Sequence, residues 1–123
     1  NAFELQAALF KRDVVKANRI VFYLAQNDKE TPYVVVLSVL FKGFSTLLQY
    51  HYIPNKSADN LKELGLTNTF FINEFEAASR IYNGNKCIEI ISAIRTYDAK
   101  GKGIDCSTSK GELLKELVYI ILH

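Results

Sequence analysis

The pattern of hydrophobic and polar positions is clearest between Thr31 and Tyr52, the most apolar stretch of the chain. Polar residues recur there at the i, i+4, i+7, i+11 spacing of one helix face, and apolar residues fill the other side. Thr31 is a good N-cap, and Pro32 fits the first helical position, where no backbone donor is needed. We therefore predict a central buried helix around which the other helices pack. Its polar face consists of Ser38, Lys42, Ser45 and Gln49.

The alternatives for this stretch are a strand and a membrane span. Val34, Val35 and Val36 favour a strand locally, because β-branched side chains are stiff at χ1. The helical stripe continues well beyond these valines, however, and a typical strand is only about 5–6 residues long. A membrane span needs about 20 nearly uninterrupted apolar residues, whereas Lys42 lies in the middle of this stretch. The pattern favours a buried helix of a soluble protein and predicts no membrane partner.

Further helical periodicity occurs on both sides of the central stretch, interrupted by short polar or glycine-containing segments. In the first of these helices Phe3, Ala7 and Phe10 are at helical spacing, and in a later one Phe71 and Phe75 begin an apolar row. We expect a loop over residues 98–108 and then a capping box, with Ser109 as N-cap and Glu112 at the N3 position. The predicted helices cover residues 2–10, 13–27, 57–64, 69–83, 86–97 and 109–122.

These elements predict an all-α fold, a compact bundle of about five to seven helices that forms one domain over residues 1–123. The net charge of +2 does not by itself imply binding to nucleic acid or a membrane. The 2 cysteines form no disulfide scaffold or zinc site, which favours a reducing, cytoplasmic location. Because the chain begins at Asn1 inside an apolar pattern and contains no Met, we expect it to be the C-terminal fragment of a longer protein.

The residue types that carry catalysis are sparse. His51 has no orienting partner that the sequence identifies, so a surface or hydrogen-bonded structural histidine is the favoured interpretation. Cys87 lies on an apolar helical face and is predicted to pack as a small apolar residue. Cys106, in a loop near lysines, is more accessible but stands in no recognisable arrangement with a base. We predict no catalytic residue, no metal site and no cofactor.

Two basic or aromatic segments are candidates for nucleic-acid contact. Lys100 and Lys102 alternate with glycines and are compatible with a contact to a DNA backbone. The segment lacks the GxxxxGK[ST] pattern of a phosphate-binding loop, and a plain inter-helix loop is modestly favoured. Tyr50, His51 and Tyr52 contain rings that stack on bases in some proteins. Adjacent helical residues point in different directions, so packing against a neighbouring helix is favoured.

The last predicted helix has more apolar residues than one packed side requires. One apolar edge must pack on the central helix or on the helix over residues 86–97, and the other edge is available to a partner. Burial on two sides within the same bundle is the competing interpretation. The predicted partner interface includes Lys115, Tyr119 and Leu122, since aromatic residues are enriched at interfaces.

The residues of the last third resemble the C-terminal domain of the delta subunit of the bacterial DNA polymerase III clamp loader. In that family an apolar helix ends in an aspartate, a lysine and a glycine follow about one turn later, and an apolar helix closes the chain. The matching positions are Asp98, then Lys102 and Gly103, then residues 113–122. Near the start, Arg12-Asp13 and Lys16-Ala17 fit the family's opening helix pair, and residues 103–109 form a polar insertion that departs from its pattern.

The resemblance implies a helical collar domain that joins equivalent domains of the other clamp-loader subunits and supports loading of the sliding clamp in DNA replication. In the family the delta subunit does not hydrolyse ATP, and an N-terminal region outside this sequence engages the sliding clamp. Any DNA contact would be made by the assembled clamp loader, which is part of a DNA-directed DNA polymerase. Two other classes stay open, a free-standing helical protein-interaction domain and a helical nucleic-acid-binding domain.

Overall fold

The computed structural model describes all residues, 1–123, and consists of seven α-helices without strands. The predicted all-α bundle of about five to seven helices is therefore confirmed. The helices are α1 (Ala2–Phe10), α2 (Val14–Gln26), α3 (Tyr33–Tyr52), α4 (Ala58–Glu63), α5 (Thr69–Ile81), α6 (Gly84–Gly101) and α7 (Lys110–Leu122). A single cluster of 30 buried hydrophobic residues joins them.

The central position belongs to α3, which packs most extensively on α6 and also on α1, α5 and α7. Its predicted polar face is largely exposed: Ser38, Lys42 and Gln49 face solvent, and Ser45 is half-buried. By length and composition α3 alone among the helices would suffice to cross a membrane, but 50% of its most apolar window is buried inside the bundle. That burial is the pattern of a core helix.

The start of α3 differs from the prediction for Thr31. Pro32 occupies the N-cap position and provides no side-chain hydrogen bond. The carboxylate of Asp28 instead accepts a hydrogen bond of 2.9 Å from the backbone N–H of Tyr33. An acidic side chain five residues upstream thus satisfies one of the free donors at the helix start, which sequence spacing alone does not indicate.

Serine side chains cap two helices at positions 57 and 109, where the sequence pattern predicts that helices begin. The Ser57 hydroxyl caps α4 and the Ser109 hydroxyl caps α7. The reciprocal half of the capping box at Ser109 is not formed, because the Glu112 carboxylate pairs with Lys115 at 3.1 Å. A complete capping box occurs instead at the first helix, between Asn1 and Glu4.

Helix α6 is longer than predicted and includes residues 98–101, which were expected to be loop. The Lys102 ammonium pairs with the Asp98 carboxylate at 2.9 Å across one helical turn, which supports the extra turn. The helix ends in a Schellman motif: Gly103 has φ +82°, and the N–H of Ile104 donates to the carbonyl of Ala99 at 3.3 Å. The left-handed backbone conformation occurs at Gly103 and not at Gly101, so Gly101 continues the helix.

The last helix packs mainly on α2 and next on α6. The prediction of α6 as a neighbour is correct, but α2 replaces the central helix as the main neighbour. The two helices run antiparallel, since Arg12 contacts the carbonyl of Leu122 at one end and Gly111 lies against the Ala25 backbone at the other. This pairing of the beginning and the end of the chain closes the bundle.

Two aromatic residues predicted to lie in apolar helix rows are exposed. The accessible fraction is 70% for Phe3 and 50% for Phe71, whereas Phe10 and Phe75, farther along the same rows, are buried. The register of both rows is correct, but no helix of the bundle covers their first turns. Both rings line one open groove that borders α3.

Candidate interaction surface

The three predicted interface residues of α7 divide into two groups. Tyr119 is 65% exposed and Lys115 is half-buried, so both reach the outer face of the helix. Leu122 is only 1% exposed, and its assignment to the interface is wrong. It lies four residues after Val118 and therefore on the same inward face. Six apolar residues of α7 are buried in this way, which confirms packing on two sides: Leu113, Leu114, Leu117, Val118, Ile121 and Leu122.

The outer face of α7 is in contact with an exposed side chain of α2. The Lys115 ammonium lies 4.5 Å from the ring centroid of Phe22, within the range of a cation–π contact. Phe22 is 55% exposed and Ile120, next to Tyr119, is 39% exposed. We call these four residues, Phe22, Lys115, Tyr119 and Ile120, the α2–α7 surface. It combines three accessible apolar side chains with a lysine that is ion-paired with Glu112.

A shallow cavity of about 400 Å³ extends the α2–α7 surface toward α6. Tyr97 lies at its α6 side, and the Tyr97 hydroxyl donates a hydrogen bond of 3.0 Å to the Glu116 carboxylate. Burial and this hydrogen bond both raise the pKa of Tyr97. The contact links α6 to α7, and both hydrogen-bonded side chains line the cavity.

The two candidate DNA-contacting lysines, Lys100 and Lys102, are not brought together. Lys100 lies 4.6 Å from the ring centroid of Tyr97, on the side of α6 that faces α7. Lys102 pairs with Asp98 at 2.9 Å and lines a different cavity, between α6 and α3. Because they are two positions apart on a helix turn, their side chains diverge. They do not form a joint basic patch.

The histidine and the cysteines have structural environments. One ring nitrogen of His51, Nε2, lies 2.7 Å from the Tyr82 carbonyl, which agrees with the predicted hydrogen-bonded structural histidine. Burial raises the pKa of Cys87 to about 11, so its thiol stays protonated and weakly reactive near neutral pH. Cys106 is half-buried. No three histidine, cysteine or acidic side chains form a cluster suited to a metal ion.

Phe22 and Ile120 are the members of the α2–α7 surface that the predicted interface did not include. A signal for Phe22 exists: Val15 and Phe22 are seven residues apart on the outward side of α2, where the polar pattern predicts charged residues. Both are exposed, at 70% and 55%. The contact of Phe22 with Lys115, in contrast, depends on the antiparallel packing of α2 and α7. The residue pattern within one helix does not indicate which residues of another helix lie beside it.

Comparison with protein families, curated proteins and solved structures finds no match to this chain.

Proposed function

We propose that this chain is an oligomerisation domain that docks onto other helical domains, in the manner of the collar domain of the DNA polymerase III delta subunit. The α2–α7 surface carries this proposal, because it places exposed Phe22, Tyr119 and Ile120 around one lysine. Interfaces are enriched in aromatic residues and contain a few residues that dominate the binding energy. The seven-helix bundle supports the proposal, since a helical bundle is the fold that the resemblance implies.

In this proposal the domain contributes assembly rather than chemistry. Partner subunits would dock against Tyr119 and Phe22 and cover the shallow cavity beside Tyr97. The parent subunit would then support loading of the sliding clamp in the cytoplasm, with clamp contact through an N-terminal region. We propose no catalytic role for this domain. Purified protein should hydrolyse no ATP above the level of a preparation from cells lacking the gene.

Direct nucleic-acid binding is the competing function and has less support from the geometry. Lys102 is paired with Asp98, and Lys100 lies over Tyr97 on another side of α6. A DNA-binding site of this kind requires several cations that neutralise neighbouring phosphates together. If DNA bound with a steep salt dependence that Lys100→Ala and Lys102→Ala reduced, the competing function would be correct.

The test of the proposed interface uses the full-length subunit and its loader partners. Tyr119→Ala and Phe22→Ala should each weaken assembly by about tenfold or more, which corresponds to roughly 1.4 kcal/mol. The matched control is Tyr52→Ala, because Tyr52 is 68% exposed and lies by Gly84, at the opposite end of α6 from Gly101. Circular dichroism establishes that each variant is folded. Unchanged affinity for both surface variants would exclude this surface as the docking site.

A further inference from the structure

A second surface of the bundle is open where the apolar rows of α1 and α5 begin. A cavity of about 480 Å³ lies between α1, α3 and α5, next to the turn that joins α4 to α5. We call it the α1–α5 groove. Phe3 on one rim and Phe71 on the other both line it, and Phe75 and Leu66 form its apolar inner wall. No residue of α2 or α7 lines the groove, so it is separate from the α2–α7 surface.

The apolar rows of α1 and α5 run from the rims of the groove into the buried core of the bundle. The rings of Phe10 and Phe75 pack edge to face at a centroid distance of 5.0 Å. Phe3 precedes Phe10 by two helical turns, and Phe71 precedes Phe75 by one turn. Their rings therefore have the orientation of core residues, yet they are 70% and 50% exposed. A partner in the groove would extend an existing aromatic contact rather than create a new one.

The groove also has a defined charge. Lys42 of α3 is the only charged residue that lines it. The other polar residues that line the groove are neutral: Gln6, Ser38 and Thr46. The Lys42 ammonium makes no ion pair within the fold. The groove therefore presents one uncompensated positive charge between two apolar rims. A partner carboxylate at this position would complement it.

We propose that the α1–α5 groove binds an amphipathic helix of a partner protein, with large apolar side chains at the rims and one acidic residue at Lys42. Helices commonly bind in such grooves through apolar anchors at i, i+3 or i+4, and i+7. A small molecule would be enclosed more fully, since pockets for small ligands bury about 70–90% of the ligand, whereas here both rims are open to solvent. Anionic membranes attract clusters of roughly four to eight basic residues, and this groove has one.

The test begins with a display library of single helices of about 16 residues, selected for binding to the folded chain. The enriched peptides should carry an aspartate or glutamate between large apolar anchors. A selected peptide with a fluorescent label should lose at least about tenfold in affinity with Lys42→Glu or with Phe71→Ala. The matched control is Arg95→Glu, which makes the same charge change at an exposed residue of α6 outside this groove.

Amide chemical shifts supply a readout that does not depend on variants. Binding should shift the amides of Gly43, Gly65 and Leu66, which line the groove, while those of α7 stay unchanged. The proposal is overturned if the library yields no binder or if the peptides bind the Lys42→Glu variant as tightly as wild type. It is also overturned if the peptides bind at the α2–α7 surface instead of the groove. Lys42-dependent binding to vesicles containing phosphatidylserine, with no peptide binding, would identify a membrane surface instead.

Discussion

The hydroxyl of Tyr33 on α3 donates a hydrogen bond of 2.6 Å to the main-chain carbonyl of Tyr97 on α6, across 64 residues of sequence. Both side chains are nearly inaccessible, at 5% and 6%. The hydroxyl of Tyr97 in turn donates to Glu116 on α7. The two bonds connect three helices in series, beneath the α2–α7 surface. The first bond also gives the central helix a buried polar contact with α6.

Replacing Tyr33 by Phe should lower the free energy of unfolding by about 1–2 kcal/mol. The substitution removes the hydroxyl and leaves the Tyr97 carbonyl with one acceptor site unpaired in a buried position. Urea denaturation of Tyr33→Phe and wild type measures the difference. Tyr52→Phe is the control, since Tyr52 is 68% exposed. Equal loss in both variants would mean that the buried bond contributes nothing specific.

The fold should lose stability in alkali. Burial raises the pKa of Tyr33 to about 12 and that of Tyr82 to about 12, from an ordinary value of 10.0. Between these values the unfolded chain releases phenol protons that the folded chain retains. The stability that the two phenols contribute is therefore full below about pH 10 and falls as the pH rises to about 12. Cys87 acts in the same direction, with its pKa raised to about 11.

Urea midpoints measured between about pH 8 and pH 11 test this dependence. The total loss should reach a few kcal/mol, because one unit of pKa shift corresponds to about 1.4 kcal/mol. The double variant Tyr33→Phe/Tyr82→Phe should be less stable at neutral pH but should show a flatter decline. A double variant whose midpoint falls as steeply as that of wild type would show that other groups cause the alkaline loss.

Phe44→Ala should cost about 3–5 kcal/mol of stability, the usual range for removing a fully buried ring. Phe44 is 0% exposed and packs edge to face on Phe10 at 5.3 Å and on Tyr82 at 5.4 Å. Its loss would leave a cavity where α1, α3 and the end of α5 meet. Phe70→Ala is the control, because Phe70 is 66% exposed. A thermal melt followed by circular dichroism should show a large decrease for Phe44→Ala only.

The sequence predicted the helices well because local periodicity determines which face of each helix is buried. The stripes of α3, α6 and α7 follow that rule. The predicted helix over residues 57–64 also ends just before Gly65, which has a positive φ. The end of α6 was placed too early because residues 98–108, which include Gly101 and Gly103, were interpreted as a loop. Gly101 actually lies against the ring of Tyr33, a packing requirement that only the three-dimensional arrangement reveals.

The candidate surfaces were only partly predictable, because exposure depends on which helices become neighbours. Leu122 and Phe3 illustrate the two directions of error. Leu122 was assigned to a partner but is buried within the bundle, whereas Phe3 was placed in an apolar row but is exposed. For Phe3 the helix face was right but no neighbouring helix covers it, whereas Leu122 belongs to the inward face of α7. Tyr119 is exposed, as its position on the polar side of α7 predicts, and its role in an interface stays a prediction.

Two glycines should respond in opposite directions to alanine. A Cβ on Gly111 would lie 2.9 Å from the backbone carbonyl oxygen of Ala25, so α2 and α7 would have to move apart. We expect Gly111→Ala to cost about 1–3 kcal/mol. A Cβ on Gly43 would instead meet the end of the flexible Gln6 side chain. Because glycine inside a helix costs roughly 0.5–1 kcal/mol relative to alanine, Gly43→Ala should be neutral or stabilising.

Thermal melts of the two single variants decide this comparison. Both changes add one methyl group within a helix, so each serves as the control for the other. Equal effects would mean that the approach of α7 to Ala25 is loose. Hydrogen exchange should also show faster opening at the first turn of α7 in Gly111→Ala only.

Arg12 should stabilise the end of α7 from the other end of the chain. Its Nε and one terminal nitrogen donate to the carbonyl of Leu122 at 3.2 and 2.9 Å. That carbonyl is one of the last acceptors of the helix, and a cation there also favours the helix dipole. Arg12→Ala should therefore cost about 1 kcal/mol and speed hydrogen exchange of the last amides of α7, while Lys11→Ala, at an exposed neighbour, should change neither.

The backbone of Arg12 makes the comparison with glycine informative. Its φ of 52° lies in the left-handed region, which costs a residue with a Cβ roughly 1 kcal/mol. Arg12→Gly removes that cost together with the hydrogen bonds, so it should be more stable than Arg12→Ala while still fraying α7. If Arg12→Gly restored slow exchange at the end of α7, the guanidinium would not be the stabilising group. If exchange is slow only in wild type, the Arg12 side chain, in the turn between α1 and α2, stabilises the end of the last helix.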